Sequence, residues 1–106
     1  MKFRTTPAFD SDYKRLKREH QLTFRDAVVE KFASACDQWA DAGGKPTFDW
    51  PKSLRVSTLV GTRGIYEITW SFASPDGRAT FELVHDGGAW VCLWRRVGDH
   101  DVYRRP

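Results

Sequence analysis

The chain has 106 residues, 41% of them hydrophobic, with five Trp, seven Phe and three Tyr. So many large apolar side chains exclude a disordered segment, and the length excludes two cores, so a single domain over 1–106 is expected. Lys and Arg number 17 against 14 Asp and Glu, a net charge of +3, which favours a polyanionic partner only mildly and makes the placement of charge matter more than its sum.

No apolar run approaches the length of about 18 residues that a membrane span needs. The polar opening MKFRTTPAFD has no apolar region of a secretion signal, so a cytoplasmic location with no membrane partner is expected. Cys36 and Cys92 are far apart in sequence, sit among apolar residues and lack CxxC or Cys/His clustering. They read as reduced core thiols.

The first residues, MKFRTT, alternate apolar and polar as a short strand does. Thr6 followed by Pro7 suits a helix entry, with the Thr oxygen as cap and Pro in the first turn. Phe9, Tyr13 and Leu16 then share one helical face, and Lys14, Arg15, Lys17 and Arg18 lie around it. A second helix is expected from about Thr23, with Asp26 completing a partial capping box, through Phe24, Val28, Phe32, Ala35 and Trp39. It should end at Gly43 and Gly44, and the short link predicts an antiparallel helix hairpin.

After Pro46 and Pro51 the period changes from helical to alternating. Strands are expected at about 54–60, 65–72, 78–84 and 90–97, joined at Gly61 to Gly64, at SPDG (74–77) and at DGG (86–88). Short connections predict an antiparallel meander. The fold class is therefore α+β: an N-terminal strand and a two-helix hairpin packed on one face of an antiparallel sheet.

Alternation divides the strands by face. Tyr66, Ile68, Trp70 and Phe72, with Ala79, Phe81 and Leu83, should pack under the helices. Ile65, Glu67, Thr69 and Ser71, with Arg78, Thr80 and Glu82, should occupy the far face. Parity leaves open which of Arg95 and Arg96 joins them. A half-covered antiparallel sheet ordinarily turns such polar residues to water.

The final segment WRRVGDHDVYRRP gives that face another use. If residues 98–106 fold back over it, His100 and Tyr103 arrive beside a carboxylate and several guanidinium groups. Metal-independent RNA cleavage needs a base for the 2′-hydroxyl proton, an acid for the leaving 5′-oxygen and fixed positive charge for the phosphorane-like transition state. Glu67, His100, Tyr103, Arg78 and Arg96 supply those types, His100 as a group that titrates near neutrality and the arginines as bidentate phosphate partners. His20, His85 and His100 lie in separate elements without ligand spacing, so no metal or other cofactor is expected. There is no GxxxxGK loop and no serine nucleophile motif. His20 and His85 read as structural or solvated residues. The run KRLKREH reads as a solvated helix face that, in an RNA-binding protein, would contact phosphates and steer the encounter.

Strand, helix hairpin, antiparallel meander and basic tail together resemble the RelE/ParE toxin superfamily of bacterial toxin–antitoxin systems, over essentially the whole chain. The resemblance is carried by FRTTPAFDSDYKRLKR, by SLRVSTLVGTRGIYEITWSF, by GRATFEL and, most specifically, by VGDHDVYRRP. It implies that Arg78 is similar to the phosphate-contacting arginine opening the penultimate strand, His100 to the basic residue after the last strand and Tyr103 to the aromatic near the end. Glu67 is a looser match, because acidic residues in these toxins occur at differing positions. The chain departs from the family in its long SFASPDG connection and in lacking the extra C-terminal helix of some members.

The implied function is a toxin that cuts messenger RNA in the ribosomal decoding site, with His100 as general acid, Glu67 as base, Arg78 and Arg96 as charge stabilisers and Tyr103 as orienting group. Lys14, Arg15, Lys17, Arg18, Arg95 and Arg104 would contact the substrate, and a cognate antitoxin would be the protein partner. The alternatives are a toxin that binds DNA gyrase and cuts nothing, or an inert binding module of the same fold.

Overall fold

The computed structural model describes residues 1–71 and 76–106, the side chain of His100 excepted. Strand β1 (Lys2–Thr5) leads into helix α1 (Pro7–Arg15), which begins as its sequence dictates. The Thr6 hydroxyl accepts from the Phe9 amide at 3.1 Å and donates to the Arg95 carbonyl at 2.7 Å, so one residue caps the helix and ties its start to the last strand.

The second helix differs from expectation. It begins not near Thr23 but at Arg18, and runs unbroken through α2 (Arg18–Ala27), a π-helical turn (Val28–Phe32) and α3 (Ala33–Asp41). Leu16 and Lys17, both extended (ψ 142° and 149°), form the whole link. Such a short link is held across the hairpin, because the Tyr13 hydroxyl donates to the Gln21 carbonyl at 3.3 Å and the Gln21 amide returns a bond to the Tyr13 carbonyl at 2.8 Å. The Thr23 hydroxyl is left to donate to the Glu19 carbonyl inside the helix. Gly43 and Gly44 end the rod with φ of +93° and +66°. A Cβ on Gly44 would lie 2.9 Å from the Trp90 ring and 3.1 Å from Trp39.

Between rod and sheet, the expected strand over 54–60 is reduced to β2 (Ser57–Thr58). Leu54, 2% exposed, is drawn into the core by a 3-10 turn (Lys52–Leu54), and Arg55 then takes a left-handed conformation (φ 48°) that interrupts an extended run. The remaining strands are β3 (Ile65–Ser71), β4 (Gly77–Asp86) and β5 (Ala89–Gly98). Gly87 and Gly88, at φ +57° and +83°, form the tight β4–β5 turn. Residues 74 and 75 of the expected SPDG turn, and Phe72 of the expected core set, lie outside the described residues.

The sheet order is β1-β5-β4-β3-β2. Strands β2 to β5 form the expected antiparallel meander, but β1 lies parallel to β5, so the five-stranded sheet is mixed. The helices and the meander that separate β1 from β5 in sequence give the chain the length a parallel pair needs. The core lies between sheet and helices, centred on Phe32, Phe81, Ile68 and Cys92, each 0% exposed. The Phe32 ring meets Phe81 and Trp94 at centroid distances of 4.9 Å. Cys36 and Cys92 are free and buried; burial first, and then the neighbouring Cys36 thiol, push the Cys92 thiol well above the ordinary range.

Candidate functional site

The far face of the sheet is not open to water. Thr69 and Thr80, expected to be solvated, are 1% and 0% exposed. The chain after β5 turns back as a short 3-10 segment (His100–Arg104), capped by the Asp99 carboxylate on the Asp101 amide at 2.9 Å, and covers that face. Val102 is buried beneath this segment, 4% exposed.

One irregularity in β5 decides how the arginines are placed. Phe81 pairs with Trp94 but Thr80 pairs with Arg96, leaving Arg95 as the extra residue of a bulge. Trp94 and Val97 both belong to the core although three residues apart, so the two residues between them share the far side. The choice between Arg95 and Arg96 that parity posed is thus replaced by both. The Arg95 Nε donates to the Pro106 main-chain oxygen at 2.9 Å and its Nη1 to Glu82 at 2.9 Å; the Thr80 hydroxyl reaches the same Pro106 oxygen at 3.1 Å.

Arg96 reaches the Arg105 carbonyl at 3.2 Å, but its guanidinium is mainly committed elsewhere. Strand β1 ends opposite Trp94, so the β5 edge beyond it lacks a strand neighbour. Asp12 of α1 fills that place. Its carboxylate accepts from Arg96 Nε at 2.6 Å and Nη2 at 3.0 Å, from Arg15 at 2.7 Å and from the Val97 amide at 3.2 Å. Burial pushes the Asp12 carboxyl up, but the bonds from Arg96 and Val97 outweigh it and leave it below its ordinary value. The same bond from Asp12 raises Arg96.

The cluster on which the tail closes is Glu67, Arg78 and Tyr103. The Arg78 Nη1 donates to the Tyr103 oxygen at 3.0 Å, and its Nη2 pairs with Asp76 at 3.3 Å. The phenol in turn donates to Glu67, and the Ser57 hydroxyl donates to the same carboxylate at 2.9 Å. Burial, then the Glu67 bond, push the Tyr103 phenol up to about 12, so at neutral pH it is a neutral donor and not a base. The group is a relay of carboxylate, phenol and guanidinium on the helix-free side. The Trp70 indole, packed against Gly77, donates to the Arg78 carbonyl at 2.9 Å and so fixes the start of the strand that bears the arginine.

Of the other residues singled out in the sequence, the His100 side chain lies outside the described residues; its backbone opens the turn that carries Tyr103. Lys14, Lys17 and Arg18 are exposed on the helix layer, away from this cluster, and Arg15 joins Asp12. The Arg104 side chain is 85% exposed, with its Nε 3.9 Å from the Asp101 carboxylate. His85 packs on Trp90 at 4.8 Å, while His20, 6.3 Å from the Trp70 ring, lines a cleft of about 360 Å³ at the sheet end with Asp12, Asp76 and Arg96. Sequence reasoning missed Asp12, whose signal is a carboxylate three residues after Phe9 on the apolar face of α1, and Ser57, which only the β2–β3 register brings to Glu67. Among the described residues no three His, Cys, Asp or Glu side chains converge as metal ligands, and no helix is long and apolar enough to cross a membrane.

Neither a protein-family model nor a curated protein sequence matches the chain. Solved structures do. A chain of the E. coli RelBE toxin–antitoxin complex superposes with a TM-score of 0.56 at 12% identity, covering 92% of this chain and 94% of its own. The isolated E. coli RelE toxin gives 0.56 at 13% identity, over 97% and 90%. The YoeB/ParE toxin from Agrobacterium tumefaciens gives 0.53 at 18% identity, over 94% and 99%. The chain has the fold of the RelE and YoeB/ParE toxins across nearly its whole length.

Proposed function

We propose that this chain, a single domain with the fold of RelE and YoeB/ParE toxins, is the toxin of a toxin–antitoxin pair and acts as a metal-independent endoribonuclease on messenger RNA in the ribosomal decoding site. The observation that carries the reading is the Glu67–Tyr103–Arg78 relay on the helix-free side of the sheet. A gyrase-binding surface has no use for a carboxylate, a phenol and a guanidinium linked in series, whereas 2′-hydroxyl attack on a phosphodiester uses each of them.

Glu67 takes the 2′-hydroxyl proton, and the 2′-oxygen attacks phosphorus. The P–O5′ bond breaks, leaving a 2′,3′-cyclic phosphate on one fragment and, once the leaving oxygen is protonated, a 5′-hydroxyl on the other. His100 is the proposed donor of that proton. Arg78 stabilises the charge on the non-bridging oxygens, with Arg95 at the bulge beside it. Tyr103 orients Glu67 and Arg78. Arg96 contributes by holding the tail and the β5 edge, since Asp12 occupies two of its donors. Lys14, Arg15, Lys17, Arg18 and Arg104 contact phosphates at the periphery and steer the encounter. An acidic antitoxin segment would cover the same basic surface.

The test is to map RNA 5′ ends in a translating extract with the wild-type protein and with Glu67→Gln, Arg78→Ala and His100→Ala. Cuts at fixed codon positions that carry 5′-hydroxyl ends, reduced about 10²-fold or more by each substitution, support the reading. Intact RNA together with blocked DNA supercoiling would replace it with the gyrase-binding alternative.

A further inference from the structure

Three buried side-chain polar atoms lack a hydrogen-bond partner among the described residues: Trp39 Nε1, Thr69 Oγ1 and Arg78 Nε. Two of the three belong to one cross-strand pair, because Thr69 of β3 lies directly opposite Arg78 of β4. Directly opposed residues hold their Cβ atoms roughly 5 Å apart, so the two side chains leave neighbouring strands on the same face, where the Tyr103 phenol meets Arg78. A buried polar atom left without a partner carries its desolvation cost uncompensated, and here two such atoms occupy opposed positions. Both groups donate. Each Nη of Arg78 already has an acceptor, Tyr103 for one and Asp76 for the other, so it is at Nε, opposite Thr69, that an acceptor is called for.

We propose that Thr69 and the Arg78 Nε form a seat for a non-bridging oxygen of a phosphodiester, making Thr69 a substrate-binding residue of this site. The inference deepens the ribonuclease reading and rests on it for the identity of the substrate. The neighbouring charges favour a monoanion. Asp76 pairs with Arg78, and Glu67 lies one bond further on through Tyr103, so a dianion meets two carboxylates whereas a phosphodiester brings a single charge to the guanidinium. For the oxygen to enter, the turn bearing Tyr103 moves aside. The bond from the guanidinium to the neutral phenol that is lost is then replaced by one to an anionic oxygen, which adds ion pairing to the hydrogen bond.

The experiment measures binding without cleavage. Dimethyl phosphate, and separately a short RNA with 2′-O-methyl sugars that cannot undergo 2′-attack, are titrated into the wild-type protein, Thr69→Val and Thr69→Ser, following backbone amides of β3 and β4 by NMR. Thr69→Val keeps the shape and removes the hydroxyl. It should weaken both ligands about tenfold, while thermal stability stays level or rises because an unpaired hydroxyl has gone. Thr69→Ser should retain wild-type affinity. If Thr69→Val fails to fold, Thr69→Ala takes its place in the same titration. Equal affinity in wild type and Thr69→Val, or no binding of dimethyl phosphate to the wild type, overturns the seat and marks the pair as a site for structural water. Hydroxyl-dependent binding by a protein that leaves natural RNA intact keeps the seat and overturns the nuclease. RNA cleavage with affinity untouched in Thr69→Val does the reverse.

Discussion

Asp12 clamps Arg96 through two parallel bonds of 2.6 and 3.0 Å and, with the same carboxylate, closes the Val97 amide on the bare edge of β5. One side chain from the first helix thus finishes a strand that β1 is too short to cover, and fixes the arginine that holds the tail.

Replacing Asp12 by Asn removes the charge and leaves Arg96 and Arg15 uncompensated, so a loss of about 2–3 kcal/mol at pH 7 is expected. Because the carboxyl lies below its ordinary value in the folded chain, its stabilisation is complete above the unfolded value of about 4 and declines as pH falls through the folded one. Urea denaturation at stepped pH should show the wild type losing stability below about pH 4 more steeply than Asp12→Asn. Parallel acid limbs would refute the clamp.

The phenol of Tyr103 supplies the opposite limb. With its value at about 12 in the folded chain against 10 for a free phenol, its contribution is intact below about pH 10 and disappears between about pH 10 and 12 as the unfolded state ionises first. Absorbance of phenolate near 295 nm should show a late ionisation that Tyr103→Phe abolishes. RNA cleavage by Tyr103→Phe at the wild-type rate would leave Tyr103 with a packing role only.

Gly77 lies against the Trp70 indole, where an added Cβ would come within 2.6 to 2.8 Å of ring atoms. Gly77→Ala should therefore push the indole off the Arg78 carbonyl, at a cost of about 1–3 kcal/mol. It should also disturb Arg78 without touching it. A shifted tryptophan emission together with reduced RNA binding is the expected result; unchanged emission would mean that the strand start gives way instead.

Phe32 is 0% exposed and makes ring contacts with Phe3, Trp50, Phe81 and Trp94. Truncation to Ala should cost about 3–5 kcal/mol, measured as a lowered denaturation midpoint with an unaltered slope. A loss below about 1 kcal/mol would mean that the π-helical turn collapses to fill the space.

What the sequence by itself determined follows from local periodicity and punctuation. The Thr6–Pro7 entry, the Gly43–Gly44 stop, the β4–β5 turn and the two faces of β3 and β4 are all written in residues that act within a few positions of one another, and each is found where such rules put it. Alternation and the basic tail single out Glu67, Arg78, Arg96, His100 and Tyr103 together, of which the structure joins Glu67, Tyr103 and Arg78 and gives Arg96 to Asp12. The tertiary structure decided what depends on long-range registration. It made β1 parallel to β5, placed both Arg95 and Arg96 on one side through a bulge, drew Arg96 to Asp12 over 84 positions of chain and buried Thr69. Periodicity counts residues along a strand, whereas a bulge adds one without changing composition, and a carboxylate on a helix acquires its partner only when two distant elements dock.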